Sequence, residues 1–189
     1  MLKGALLLVT LVGLLSFDFV LPEGWFKAGS HPKSYNMGID KGSGPKGENA
    51  ATIQSIDKKV NGFGTLMQNS LPDKFKGKRV RMTGDLKSKN VTDWAAFWFR
   101  VDQADTQESL SFDNMHDGVR DRSIKGTTDW KRYEIILDVP EKATNMAYGA
   151  LLSGTGQIWF TNINFEVVDN TVQTTDIQIK EPTNLNFEK

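Results

Sequence analysis

Alternation of apolar and polar side chains in the segment WAAFWFRVD, residues 94–102, constrains the fold of this chain most strongly. Successive side chains of a β-strand point to opposite faces of a sheet, so this segment presents two different faces. One face carries Ala95, Phe97, Phe99 and Val101, and the other carries Trp94, Ala96, Trp98, Arg100 and Asp102. The pattern predicts a strand with one face in a hydrophobic core and with tryptophan and charged side chains on the opposite face.

Short segments of the same kind recur along the chain, with turn signals between them. Residues 79–86 and 130–139 alternate cleanly, and Pro140 ends the second segment because proline cannot donate a hydrogen bond to a β-ladder. The other predicted strands are residues 50–56, 63–69, 110–114, 145–153 and 157–168. Residues 90–92 are predicted to form a loop before the strand that starts at Trp94. Short strands at this spacing predict an all-β sandwich or barrel.

The two ends of the chain differ from this central part. A lysine at position 3 is followed by the apolar run ALLLVTLVGLL, residues 5–15, which has the length of the hydrophobic part of a signal peptide and is short for a membrane span. We expect residues 1–20 to be a signal peptide or an uncleaved membrane anchor, which predicts an extracytoplasmic protein: secreted, periplasmic or membrane-anchored. The alternative is a buried strand or helix of a cytosolic protein. Residues 21–169 then form the β-sandwich domain, and residues 170–189 form a polar C-terminal tail.

Composition excludes several classes of function. The chain has 23 basic residues (lysine and arginine) and 23 acidic residues (aspartate and glutamate). It therefore has no net positive charge that would favour binding to nucleic acid or to an anionic membrane. Contact with a membrane is therefore expected only through an uncleaved N-terminal segment. The chain has no cysteine, which excludes disulfides, thiolate metal sites and a cysteine nucleophile. No phosphate-binding glycine loop, nucleophile elbow or zinc signature is present, and we expect no cofactor.

The order of motifs from Gly77 onward resembles the galactose-binding-like jelly roll of many carbohydrate-binding modules. The motifs that carry the resemblance are GKRVRMTGDLKS, WAAFWFRVD, GTTDWKRYEIILDVP and AYGALLSGTGQIWFTNINFEVV. The chain also resembles uncharacterised bacterial sandwich proteins that are sometimes labelled AraC-type transcriptional regulators, although it shows no helix-turn-helix pattern. The resemblance covers roughly residues 25–168. It implies a jelly-roll β-sandwich, and it leaves the ligand open because this architecture hosts many functions.

One position departs from these relatives. They often carry an aspartate in the last strand after a Trp-x pair, whereas here Trp159-Phe160 is followed by Thr161-Asn162. A structural calcium ion, which the resemblance allows, is therefore not indicated by this sequence.

The polar face of residues 94–102 has the chemistry of a sugar site. Aromatic rings stack on the apolar face of a pyranose, and arginine, carboxylate and amide groups bond to its hydroxyls. The candidate ligand-binding residues are Trp94, Trp98, Arg100 and Asp102, with Arg81 and Thr83 on a neighbouring strand and with Gln68, Asp113 and Asn114 as further candidates. In the alternative, Trp98 lies under a covering loop or packs between the sheet and the N-terminal segment.

Of the other tryptophans, Trp130 is expected to anchor the start of a strand, Trp159 to pack between strands and Trp25 to plug one end of the sandwich.

Catalysis finds little support. The two histidines are His31 and His116, and the run from Asp113 to Asp117 joins acid, amide and imidazole without a second segment that would complete a metal site. Asp85, Asp102, Asp113 and Glu134 are possible acid pairs for glycoside hydrolysis, but spacing does not choose among them. We therefore predict a non-enzymatic binding module whose partner is a glycan or another protein. The alternatives are a structural or sensory protein-interaction domain without a small ligand and, less favoured, a sandwich enzyme that acts on polysaccharides.

Overall fold

The computed structural model describes residues 18–103, 108–116, 120–176 and 185, so most of the apolar N-terminal segment lies outside the described residues. Within the described part, no helix is long and apolar enough to cross a membrane. The elements are β1 (Phe26–Ala28), a 3-10 helix (Pro32–Ser34), β2 (Tyr35–Asp40), β3 (Ala50–Ser55), β4 (Phe63–Ser70), β5 (Lys78–Gln103), β6 (Glu108–Asp113), β7 (Ile124–Val139), β8 (Asn145–Ser153) and β9 (Gln157–Val168).

One strand, β5, belongs to both layers of the fold. Its first half pairs with β7 and β9, and its second half pairs with β6 and β8. The first layer therefore has the strand order β7-β5-β9-β3-β2, and the second has the order β6-β5-β8-β4-β1, with all pairs antiparallel. We call these layers sheet I and sheet II. The prediction of an all-β jelly-roll sandwich is confirmed.

Apolar side chains from both sheets fill the space between them. Phe97 of sheet II meets Phe160 of sheet I edge to face, with ring centroids 5.9 Å apart, and Phe99 meets Phe165 at 5.4 Å. Gly84, in the first half of β5, lies beneath the Phe97 ring: a Cβ atom there would lie 2.6 Å from Phe97 Cζ. The two halves of β5 thus pack against each other across the core, and glycine at position 84 leaves room for the ring.

The bend of β5 corrects one prediction. Residues 90–92 were expected to form a loop, but they lie inside the 26-residue strand. Asn90 adopts a left-handed conformation with φ 53°, and the pairing with β7 shifts register on both sides of Val91. Asparagine tolerates this conformation better than most residues. The expectation of a loop was wrong because the chain bends here without leaving the sheet.

Residues outside the predicted sandwich also pack on it. Val20 forms an isolated bridge with Ile39. Residues 170–176, expected to belong to the tail, contact β7 at Thr175: the backbone N–H of Thr175 donates to Ile136 O at 2.8 Å, and the N–H of Ile136 donates to Thr175 Oγ1 at 2.9 Å. Arg79 Nη1 donates to the carbonyl oxygen of Asn170 at 2.6 Å.

Tyr35 ties two turns to the core. Its ring is 3% exposed, and its hydroxyl lies 2.8 Å from the carbonyl oxygen of Gly154 and 3.1 Å from that of Gly62. Burial, with a smaller contribution from the charge of Asp93, raises the pKa of Tyr35 to about 12. Ionisation of this hydroxyl would remove its donor and place a charge in the core.

This raised pKa predicts a loss of stability at high pH. Both the folded and the unfolded states hold the Tyr35 proton below about pH 10. Between about pH 10 and 12 the unfolded state releases the proton first. Ionisation of Tyr35 therefore lowers the free energy of unfolding, by about 2–3 kcal/mol for a shift of this size. We expect Tyr35→Phe to be less stable than the wild type at pH 8 by about 1 kcal/mol, the net value of a hydrogen bond. The difference should shrink or invert at about pH 11.5.

Urea unfolding at both pH values measures the two differences, and tyrosine absorbance tracks ionisation. An unchanged gap between wild type and Tyr35→Phe would show that the hydroxyl titrates normally in the folded state.

Candidate ligand-binding groove

A groove of about 370 Å³ crosses the outer face of sheet II, opposite the core. Its walls and floor are predominantly apolar and aromatic. They are formed by Ala28, Gly29, Phe63, Thr65, Met67, Trp94, Trp98, Arg100, Phe112, Asn114 and Leu151. We refer to this cavity as the groove.

Strand register places these side chains in rows. Pairing of β5 with β8 and of β8 with β4 gives the rows Trp98–Gly149–Met67, Ala96–Leu151–Thr65 and Trp94–Ser153–Phe63. On the other side of β5, Arg100 is paired with Phe112 of β6. The face predicted from residues 94–102 is thus the central strip of the groove, and both β4 and β6 add aromatic side chains to it.

Trp98 forms the floor of the groove. Its indole N–H donates to Thr65 Oγ1 at 2.8 Å, so the ring extends from β5 across β8 to β4. Gly149 lies between Trp98 and Met67 and has no side chain; a Cβ atom there would lie 2.3 Å from the carbonyl oxygen of Leu66.

The floor position changes what Trp98 can offer a ligand. Its side chain packs with Ala147 and Leu151 and with the partly buried Met67 and Trp94, and the residue is only 7% exposed. The predicted orientation away from the core is found, but the expectation of a freely exposed indole is wrong. The neighbouring strands cover most of the ring.

Arg100 and Asp102 form an ion pair at one end of the groove. Arg100 Nε lies 2.8 Å from Asp102 Oδ1, and Asn145 of the paired strand β8 donates to Asp102 Oδ2 at 3.1 Å. The Arg100 side chain is 45% exposed and that of Asp102 is 17% exposed. Arg100 lines the groove, whereas Asp102 lies beyond it and holds the guanidinium in place.

Trp94 lies at the opposite end and is covered on one side by a histidine. The rings of Trp94 and His116 stack with centroids 4.2 Å apart and an interplanar angle of 15°. His116 Nδ1 in turn lies 3.3 Å from both Asp121 Oδ1 and Ser123 Oγ. Hydrogen bonds from the hydroxyl and backbone of Ser123, with a smaller contribution from His116, lower the pKa of Asp121 to about 2. Asp121 and Ser123 thus lie beside the imidazole that stacks on Trp94.

The acid-amide-imidazole run at residues 113–117 is divided between structural roles. Asp113 is buried and forms an ion pair with Arg122, and its Oδ1 accepts the backbone N–H of Met115 at 2.7 Å. Asn114 lines the groove and accepts the N–H of His116. Asp117 lies outside the described residues. Among the residues that are described, no group of three or more histidine, aspartate or glutamate side chains is placed to hold a metal ion.

The other predicted site residues lie away from the groove. Gln68 accepts a hydrogen bond from the Tyr148 hydroxyl at 2.6 Å and lies on the opposite face of β4 from Thr65 and Met67. Arg81 and Thr83 lie on β5 itself, in its sheet I half, so they do not neighbour Trp98 as expected. Arg81 instead forms ion pairs with Glu134 at 3.1 Å and Glu166 at 3.0 Å.

Each of the four acids considered for hydrolysis is paired with an arginine. The pairs are Asp85–Arg132, Asp102–Arg100, Asp113–Arg122 and Glu134–Arg81. Arg132, together with Asn162, lowers the pKa of Asp85 through hydrogen bonds. None of these four carboxylates lines the groove, where an acid pair for hydrolysis would have to face the ligand.

The remaining tryptophans lie outside the groove. Trp25 contacts Tyr148 and Phe160 with centroid distances of 6.0 and 5.9 Å. Trp159 is buried on sheet I, its indole N–H donates to Asp40 Oδ2 at 2.7 Å, and Lys87 Nζ lies 5.0 Å from its ring. The same ammonium lies 5.9 Å from the ring of Trp130.

Several groove residues were missed by the sequence reasoning. Phe63, Thr65 and Met67 alternate along β4, and Phe112 occupies the exposed face of β6. The period-two pattern of residues 63–69 contained this information, but nothing local indicated that β4 and β6 flank the strand that carries Trp98.

Comparison with known proteins concerns the fold. No protein-family model matches the chain. The chain is 39% identical over 173 residues to the uncharacterized HTH-type transcriptional regulator YbfP of Bacillus subtilis strain 168; the match covers 88% of this chain and 57% of the length of that relative.

Two solved structures share the architecture. The CBM22-1 xylan-binding domain of Xyn10C from Paenibacillus barcinonensis has a TM-score of 0.54 and 12% identity, and the match covers 78% of this chain and 88% of that domain. The enzymatically active domain of tailspike protein 4 from bacteriophage CBA120 has a TM-score of 0.57 and 13% identity, with 77% of this chain and 20% of that chain covered. At such identities the likeness concerns the fold, and it confirms the resemblance to carbohydrate-binding modules.

The packing of Trp98 predicts that it stabilises sheet II. We expect Trp98→Ala to lower the free energy of unfolding by about 3 kcal/mol, because the change removes the apolar floor and leaves a cavity. Trp98→Phe should cost about 1–2 kcal/mol, since most contacts remain but Thr65 loses its indole donor. Urea denaturation followed by circular dichroism measures both. Trp130→Phe, a partly exposed tryptophan of sheet I, is the matched control and should change stability by less than about 0.5 kcal/mol. Wild-type stability of Trp98→Ala would contradict the packed floor.

Proposed function

We propose that this chain is a non-catalytic module that binds a glycan along the groove. The observation that carries the proposal is the arrangement of exposed aromatic side chains around a flat aromatic floor. Phe63 is 36% exposed and Phe112 is 46% exposed, and these residues lie on β4 and β6, the strands that flank β8 and β5. Such side chains supply faces for pyranose rings, and Trp98 forms the aromatic floor between them.

Polar groups in the groove supply directional bonds. The described lining includes the guanidinium of Arg100, the amide of Asn114 and the hydroxyl of Thr65. Ligand sites in general combine a mostly apolar concave surface with a few fixed polar groups. The groove follows this rule, and its open form suits a chain of sugars that continues beyond it.

The proposal of a binding module without catalysis is supported by the pairing of acids with arginines described above. It is also supported by the similarity to a domain named as xylan-binding, although at 12% identity that similarity concerns architecture. An extracytoplasmic location is part of the proposal. The apolar run of residues 5–15 behind Lys3 supports it.

The aromatic rim gives the sharpest test. We expect Phe63→Ala and Phe112→Ala each to weaken glycan binding about tenfold, equivalent to about 1.4 kcal/mol, because each removes one stacking face. Both side chains are solvent-exposed, so the stability should change by less than about 0.5 kcal/mol. Affinity electrophoresis on a panel of xylans, β-glucans, galactans and pectins, followed by calorimetry, measures the loss.

Trp130→Ala is the control for this test, because Trp130 is a partly exposed aromatic residue outside the groove. It should bind like the wild type. Failure of the wild type to bind any polymer of the panel, or equal binding by the rim variants, would refute glycan binding in the groove.

A second function is favoured by the 39% identical relative, which is named as a transcriptional regulator and of whose length this chain matches 57%. In this version the chain is a sensory domain that meets another protein and passes on a signal. An exposed apolar side chain outside the groove, Leu71, is a candidate contact, since it is 74% exposed between β4 and β5.

The sensory version predicts self-association or capture of a partner without a glycan. Sedimentation analysis of the wild type and of Leu71→Asp, at a series of concentrations, tests it: dimers that dissociate in the variant support the version. Monomers in both, together with glycan binding, leave the binding module as the function.

A further inference from the structure

We infer that the glycan carries hexuronate residues and that Arg100 binds the carboxylate of one of them. The inference rests on the proposed function, because it names the class of glycan for the same groove. Its starting point is charge: among the described residues that line the groove, Arg100 is the one charged side chain. An otherwise apolar and neutral groove thus presents a single cation to its ligand.

The guanidinium is exposed but held in one orientation. Arg100 Nε lies 2.8 Å from Asp102 Oδ1. The side-chain amide of Asn145, on the neighbouring strand, donates to Asp102 Oδ2 at 3.1 Å. A guanidinium has five N–H donors in a planar fork, so an acceptor on the Nε edge leaves donors of the terminal nitrogens for a second acceptor. Bidentate pairing with a planar carboxylate is the interaction for which arginine is best suited.

Asp102 does not cancel the attraction. Its side chain is 17% exposed against 45% for Arg100, and it is absent from the groove lining. A ligand in the groove therefore meets the cation in front of its counter-charge. A ligand in the groove lies closer to the guanidinium than to the carboxylate of Asp102. Because Coulomb energy falls with separation, the potential that the ligand meets is positive.

Neighbouring side chains fit a sugar that carries a carboxylate. Phe112 is paired with Arg100 across β5 and β6, and its ring is exposed. A pyranose stacked on this ring would direct a carboxylate at its edge toward the guanidinium. Asn114, two residues further along the chain, supplies an amide for a ring hydroxyl.

A matched pair of ligands tests the inference. Glucuronoxylan and polygalacturonate are compared with their carboxyl-reduced forms, which keep the backbone and lose the charge. We expect the wild type to bind at least one acidic polymer about tenfold more tightly than its reduced form. This preference should weaken between 50 and 500 mM salt, because salt screens an exposed ion pair.

Variants of two arginines assign the effect to the groove. Arg100→Gln should lose the preference and its salt dependence, so that acidic and reduced polymers bind this variant with equal affinity. Arg100→Lys should keep part of the preference, since charge remains but the planar fork is lost. Arg132→Gln is the control: Arg132 is also paired with an aspartate, Asp85 at 2.9 Å, but lies on sheet I outside the groove, and its removal should leave binding unchanged.

The outcomes separate the inference from the proposed function. Equal binding of acidic and reduced polymers overturns the uronate inference and leaves glycan binding intact. Preference for a sulfated polymer such as carrageenan, with none for uronates, also overturns it, because the tetrahedral sulfate is then the anion bound. Absence of binding to every polymer refutes both. Should Arg100→Gln prove unstable in urea, the wild type's salt dependence and Arg100→Lys still decide the question.

Discussion

The continuity of β5 through both sheets determines the rest of this structure. A single strand of 26 residues lies between β7 and β9 of sheet I with its first half and between β6 and β8 of sheet II with its second half. The bend at Asn90 lets the two halves face each other, so Gly84 lies beneath Phe97. Because side chains alternate along the strand, the same bend places the core on one side of residues 95–101 and the groove on the other. Core and groove therefore depend on one register.

The groove shows how one tryptophan can shape a site without being its platform. Trp98 is fixed by a hydrogen bond to Thr65 and by apolar neighbours, and its partner on β8, Gly149, has no side chain. Exposed aromatic surface is provided by Phe63 on β4 and Phe112 on β6. A packed floor beneath exposed aromatic side chains suits the glycan-binding function that we propose.

Local patterns in the sequence were sufficient for the strands and for the orientation of residues 94–102, because period-two alternation is a property of neighbouring residues. They were insufficient for Trp98, whose burial depends on Thr65 and Gly149 from strands that are distant in sequence. The same limit applies to Arg81, which was expected beside Trp98 but lies in the other sheet. Asn90 was mistaken for a loop residue, since a left-handed asparagine within a strand has the same local signature as a turn.

The segment after β9 has a consequence for the behaviour of the protein in concentrated solution. β7 is an outermost strand of sheet I, and such strands offer open backbone groups to any extended chain they meet. Thr175 occupies those groups at Ile136, and Ser111 Oγ donates to the carbonyl oxygen of Asp138 at 2.8 Å. The segment after β9 thus occupies backbone groups at one point of the β7 edge, where another extended chain could otherwise pair.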